Sequence, residues 1–92
     1  MENEIKNSII DKSVKEISNI CESYIKKGQS LFKAIDFALK EYRLEEEIIL
    51  KYEFEMIKRG TKDNLELTTD QVNKIKNEIE KLIYDKYLEK IS

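Results

Sequence analysis

The chain contains no histidine, no proline and no tryptophan, only two glycines and a single cysteine in 92 residues. Without histidine, Ser-His-Asp and Cys-His nucleophilic sites are excluded, as are the Glu-x-x-His sites of di-iron bundles and the histidine-containing zinc sites. No phosphate-binding loop, GxGxxG turn or Asp-rich calcium loop is written anywhere in it. A β-sheet protein needs tight turns built on glycine, proline or Asn-Gly pairs. With Gly28 and Gly60 as the only glycines, helices joined by short connections are the expected class.

The charges are many and balanced: 17 basic against 19 acidic residues. A nucleic-acid or membrane-surface binder would carry a basic excess. No apolar run approaches the roughly 20 residues a membrane span requires. The opening Met1-Glu2-Asn3-Glu4 is acidic, unlike the basic start of a signal peptide. Cys21 has no partner for an internal disulfide, which fits a reducing compartment, so a cytoplasmic location is expected. The wealth of Lys, Ile, Asn and Glu suggests a bacterial or phage origin. At this length there is room for one domain and one core. Such a domain buries only about 60–65% of the surface its unfolded chain exposes, so partners can matter for stability.

Periodicity divides the chain into four helices, two long (about 2–27 and 69–91) and two short (about 31–41 and 45–59), packed as a small antiparallel bundle. In the first, Ile10, Val14, Ile17, Cys21 and Tyr24 form a heptad stripe, widened by Ile5, Ile9, Ile20 and Ile25. Gly28 follows two lysines as a C-terminal stop. Ser30 is the N-cap of the second helix, whose inward set is Leu31, Ala34, Ile35, Ala38 and Tyr42. A tight turn is expected around Tyr42-Arg43-Leu44. The third helix opens on Glu45-Glu46-Glu47, ends on Lys58-Arg59-Gly60, and carries Ile48, Ile49, Tyr52, Met56 and Ile57 as its stripe. After a loop from Thr61 to Leu67, Thr68 and Gln71 match a capping box, with Leu67 and Val72 placed as a staple across it. Val72, Ile75, Ile79, Leu82 and Ile83 follow on the last helix.

If the four helices run alternately up and down, the first helix starts where the fourth ends, and the shorter middle pair does not reach there. Ile5, Ile9, Tyr84, Tyr87, Leu88 and Ile91 would then be partly uncovered, a candidate self-association surface and a route to a homodimer. The acidic set Glu45, Glu46, Glu47, Glu53 and Glu55 is a candidate surface for a basic protein partner, although acids in a first turn also simply compensate the helix dipole. Nothing in their spacing specifies a metal site, and no cofactor is implied. Cys21, set between Ile17 and Tyr24, reads as a small buried hydrophobe.

Two functional expectations follow. The first is a non-enzymatic protein-interaction module that occludes or scaffolds a larger partner, as small regulators, immunity proteins and phage inhibitors do. The second is a helix-turn-helix-like transcriptional regulator contacting DNA through the middle helices, with Lys51, Lys58 and Arg59 as its contacts. Three glutamates stand where a recognition helix normally offers donors to base edges, which weighs against the second.

Overall fold

The computed structural model describes residues 3–60 and 67–89, and within them the chain is an all-α bundle of four helices. They are α1 (Asn3–Lys26), α2 (Leu31–Tyr42), α3 (Leu44–Lys58) and α4 (Thr69–Leu88). The long–short–short–long pattern read from the periodicity is reproduced, with ends shifted by no more than three residues.

The local signals act as their chemistry requires. Gly28 takes φ 93°. Its N–H bonds to the Ile25 carbonyl at 3.0 Å and the Gln29 N–H to the Tyr24 carbonyl at 3.1 Å, the two bonds of a Schellman stop. The Ser30 hydroxyl accepts from the Lys33 N–H at 3.4 Å. Thr68 and Gln71 form the full reciprocal capping box, at 3.2 Å and 3.0 Å. Leu67 and Val72 both join the core. The preceding loop, 61–66, lies outside the described residues.

The α2–α3 junction is a single residue. Arg43 holds φ 52° and ψ 63°, the left-handed region, and serves as C-cap of α2 and N-cap of α3 at once. Its role follows from phase. Tyr42 and Leu44 lie two positions apart, about 200° around an unbroken helix, yet both are buried. One left-handed residue resets the rotation, so that Leu44, Ile48 and Tyr52 follow Ala34, Ile35, Ala38 and Tyr42 into the same core.

This junction does not reverse the chain. Tyr42 donates to Glu16, halfway along α1, so α2 descends from the C-terminal end of α1 to its middle. From there α3 continues the same way: Lys51 pairs with Glu16, Glu55 meets Lys12 and Ser8, and Arg59 meets Glu4. On α4, Lys6 pairs with Glu78 and Ser18 accepts from Lys86, so α4 runs parallel to α1. The bundle therefore has three antiparallel legs, α1, the tandem α2–α3, and α4, with extents of 46 × 22 × 19 Å. This corrects the alternating up-and-down arrangement. The start of α1 lies beside the end of α3, while the end of α4 lies beside the C-terminal half of α1.

Among the described residues the expected uncovered end is consequently not formed. Ile5, Ile9 and Tyr87 are buried core residues; the first two are covered because α3 reaches the start of α1. Tyr87 donates its hydroxyl to Glu22 Oε1 at 3.1 Å, with the Ser18 carbonyl at 3.3 Å. Tyr84 is half-buried against the core and Leu88 is exposed. Ile91 lies outside the described residues. Cys21 is fully buried within the core, as a small hydrophobe.

Candidate protein-docking face

The charged residues that seem alike in the sequence are put to different uses. Lys51 is the centre of the α2–α3 joint: its ammonium lies 2.8 Å from Glu16 Oε1 and 3.1 Å from Glu47 Oε2, and 5.3 Å from the centre of the Tyr42 ring. Its side chain is only 15% exposed. Burial works against its charge, but the hydrogen bonds with Glu16, Tyr42 and Glu47 outweigh that and raise its pKa. Burial likewise tends to raise the Glu16 pKa, and the hydrogen bonds from Lys51 and Tyr42 reverse the sign and lower it. Ser13 Oγ is buried nearby without a hydrogen-bond partner among the described residues.

Glu55 is turned inward, accepting from Lys12 at 3.2 Å and Ser8 at 3.1 Å with Arg59 Nε at 3.7 Å. The Lys12 hydrogen bond is the main reason its pKa is lowered. Glu45 leans to α4, where Lys76 donates to it at 3.0 Å. Thus the five acids proposed for a basic partner do not form one surface. Glu46 and Glu53 face outward from α3, Glu47 is half-buried against Lys51, and Glu45 and Glu55 bind the neighbouring helices. The three cations of the DNA reading are also dispersed. Lys51 is held at the joint, Arg59 pairs with Glu4 and Glu55, and Lys58 alone stands in the open.

What does converge on the outside of α3 is apolar. Leu50, Phe54 and Ile57 are 57%, 61% and 78% exposed, and their i, i+4, i+7 spacing aligns them along one face. The opposite face of the same helix supplies Leu44, Ile48 and Tyr52 to the core. Lys12 of α1 lies 5.9 Å from the Phe54 ring centre, at the border of the stripe. The other exposed large hydrophobics are Phe32 and Phe37 on α2, Ile49 on α3, and Leu82 and Leu88 on α4. Phe37 is already against Tyr24, ring centres 5.4 Å apart, and neither pair on α2 or α4 is spaced to share a helix face. A monomer commonly exposes single hydrophobics, whereas these three stand in line on one helix.

Periodicity alone places Ile49 and Ile57 on the buried side with Ile48, which hides this stripe. Both are exposed. The usable signal was that α3 has apolar residues on two opposite faces, a pattern one core cannot absorb.

An open cleft of about 470 Å³ lies where the α2–α3 joint meets α4, lined among others by Leu39, Arg43, Leu44, Lys76, Glu80 and Tyr84. Its charges are largely spent on each other, as in Lys40–Asp36, Arg43–Glu46 and Lys76–Glu45. Among the described residues, no group of three or more Cys, Asp or Glu is arranged to hold a metal ion, and no helix is long and apolar enough to cross a membrane. Comparison with known proteins returns no matching family, no matching curated protein and no matching solved structure.

Proposed function

We propose that this chain is a non-catalytic protein-interaction module, of the class of small regulators and inhibitors, and that the outward face of α3 is its contact element. The observation that carries this reading is the Leu50–Phe54–Ile57 stripe, exposed on a helix whose other face is already anchored in the core. Such a helix presents apolar side chains from a rigid support, so little ordering entropy is lost on docking. Phe54 is the natural anchor, since aromatic side chains dominate interface energetics. The absence of histidine and of any phosphate loop in the sequence gives the same face no obvious chemistry to perform.

The test is site-specific photo-crosslinking in cells of the source organism. A benzophenone amino acid replacing Phe54 is expected to give discrete protein adducts, whereas the same group at Asn77, exposed on α4, gives few. Equal labelling at both positions removes α3 as the contact element.

A further inference from the structure

We propose that the partner seated on the outward face of α3 is a second copy of this chain, with the two α3 helices parallel and in register. The inference rests on the docking-face reading above and identifies the occupant of that face.

Charge placement around the stripe carries it. At about 100° per residue, Leu50, Phe54 and Ile57 occupy the alternating core positions of a short coiled-coil seam within α3. Glu46 and Glu53, seven residues apart, border the seam on one side. Lys51 and Lys58, also seven apart, border it on the other. In a parallel pair the first border of one helix faces the second border of its mate, five residues further on. Glu53 then meets Lys58 of the second copy, and by symmetry this pair forms twice. An antiparallel pair would instead set each border against its own like, glutamate facing glutamate and lysine facing lysine. Across the Glu53 and Lys58 borders the pattern is thus self-complementary in the parallel orientation and repulsive in the antiparallel one, while Glu47, which meets its own like in the parallel pair, carries Lys51 at 3.1 Å as its counter-charge.

The residues needed for this are available. Glu53 and Lys58 are exposed, and neither forms an ion pair among the described residues. Lys51 is committed to Glu16 and Glu47, so the selective pair is Glu53 with Lys58. The apolar seam, from Leu50 to Ile57, spans little more than one heptad, which places the dimer among weak, concentration-dependent associations.

Sedimentation equilibrium of the full chain, from low micromolar to millimolar concentration, is the direct measurement. The wild type is expected to show a reversible monomer–dimer equilibrium. Glu53→Lys and Lys58→Glu, each replacing two attractive contacts with two repulsive ones, should each weaken it by about tenfold. The double variant carrying both reversals should recover the wild-type constant. Leu50→Cys should form an intermolecular disulfide on mild oxidation, because parallel in-register packing sets position 50 against itself. The native Cys21 is buried and does not compete. All these positions are exposed, so circular dichroism of the dilute variants should match the wild type.

A monomer throughout the range overturns the proposal, and so does failure of the double reversal to restore association. If the chain is monomeric while position 54 still crosslinks to a different protein, the second copy is the wrong occupant and the docking face stands. If it is monomeric and position 54 labels no more than position 77, both readings fall.

Discussion

Replacing Lys51 by methionine tests the most consequential distinction between what this lysine resembles in sequence and what it does in the fold. Methionine keeps the length and apolar stem of the side chain while removing the ammonium. Two charge-assisted contacts disappear, at 2.8 Å to Glu16 and 3.1 Å to Glu47. A hydrogen bond to a charged group is worth about 1.5–3 kcal/mol when enclosed, whereas a fully exposed ion pair gives about 0.2–1 kcal/mol. Here the cation is enclosed but both carboxylates are partly exposed and can rehydrate. Tyr42 also continues to donate to Glu16. The expected loss is therefore intermediate, about 1–2 kcal/mol, or roughly 5–15 °C in Tm for a domain of this size.

Urea and thermal melts followed by circular dichroism in dilute solution measure it. A cycle with Glu16→Gln should return a coupling of about 1 kcal/mol. The pH dependence has a definite sign. The Glu16 contribution is complete above its ordinary value of 4.5 and fades as pH falls through its lowered folded value. The Lys51 contribution is complete below 10.5 and fades as pH rises through its raised folded value. The difference between wild type and Lys51→Met should thus be widest between these limits and shrink on either side. A loss under about 0.3 kcal/mol, flat with pH, would refute the claim that this cluster holds the joint.

Two further changes probe the fold. Arg43→Gly removes the cost of a left-handed backbone at a residue with a Cβ, about 1–2 kcal/mol, against about 0.5–1 kcal/mol of added unfolded-state freedom. The exposed Arg43–Glu46 pair, at 3.8 Å, offers little to lose, so the variant should melt at the same temperature or slightly higher; a clear destabilisation would show that the guanidinium does more than occupy the turn. Tyr87→Phe leaves the ring in place but deletes the hydroxyl that donates to Glu22 beside the Ser18 carbonyl, and should cost about 1 kcal/mol in urea unfolding. No change at all would mean that solvent already serves these acceptors.

The helices and their ends were legible because their causes are local. A left-handed glycine after Lys27, a hydroxyl at Ser30 and the reciprocal pair at Thr68 and Gln71 need only their own neighbours to act. The all-α class and the burial of Cys21 follow from periodicity, which is likewise a property of the segment. The break near Arg43 was visible as a lapse in phase, but its consequence was not. Whether a chain turns back or continues depends on the dihedral angles of that residue and on which partner helix covers the next stripe.

Topology, and with it the site, belonged to the tertiary structure. Because α3 continues the direction of α2, it reaches the start of α1 and buries Ile5 and Ile9, while α4 runs parallel to α1 and buries Tyr87. Among the described residues, Ile5, Ile9 and Tyr87 are therefore withdrawn from the surface expected at a shared end of the long helices. Glu45, Glu47, Glu55, Lys51 and Arg59 have the same chemistry in the sequence as Glu53 and Lys58. Only the distances to Lys76, Glu16, Lys12 and Glu4 separate the charges that hold the bundle together from those left facing outward. Amino-acid order determined that α3 would be apolar on two sides. The packing of three legs, which has room for one of them, decided which side remained exposed.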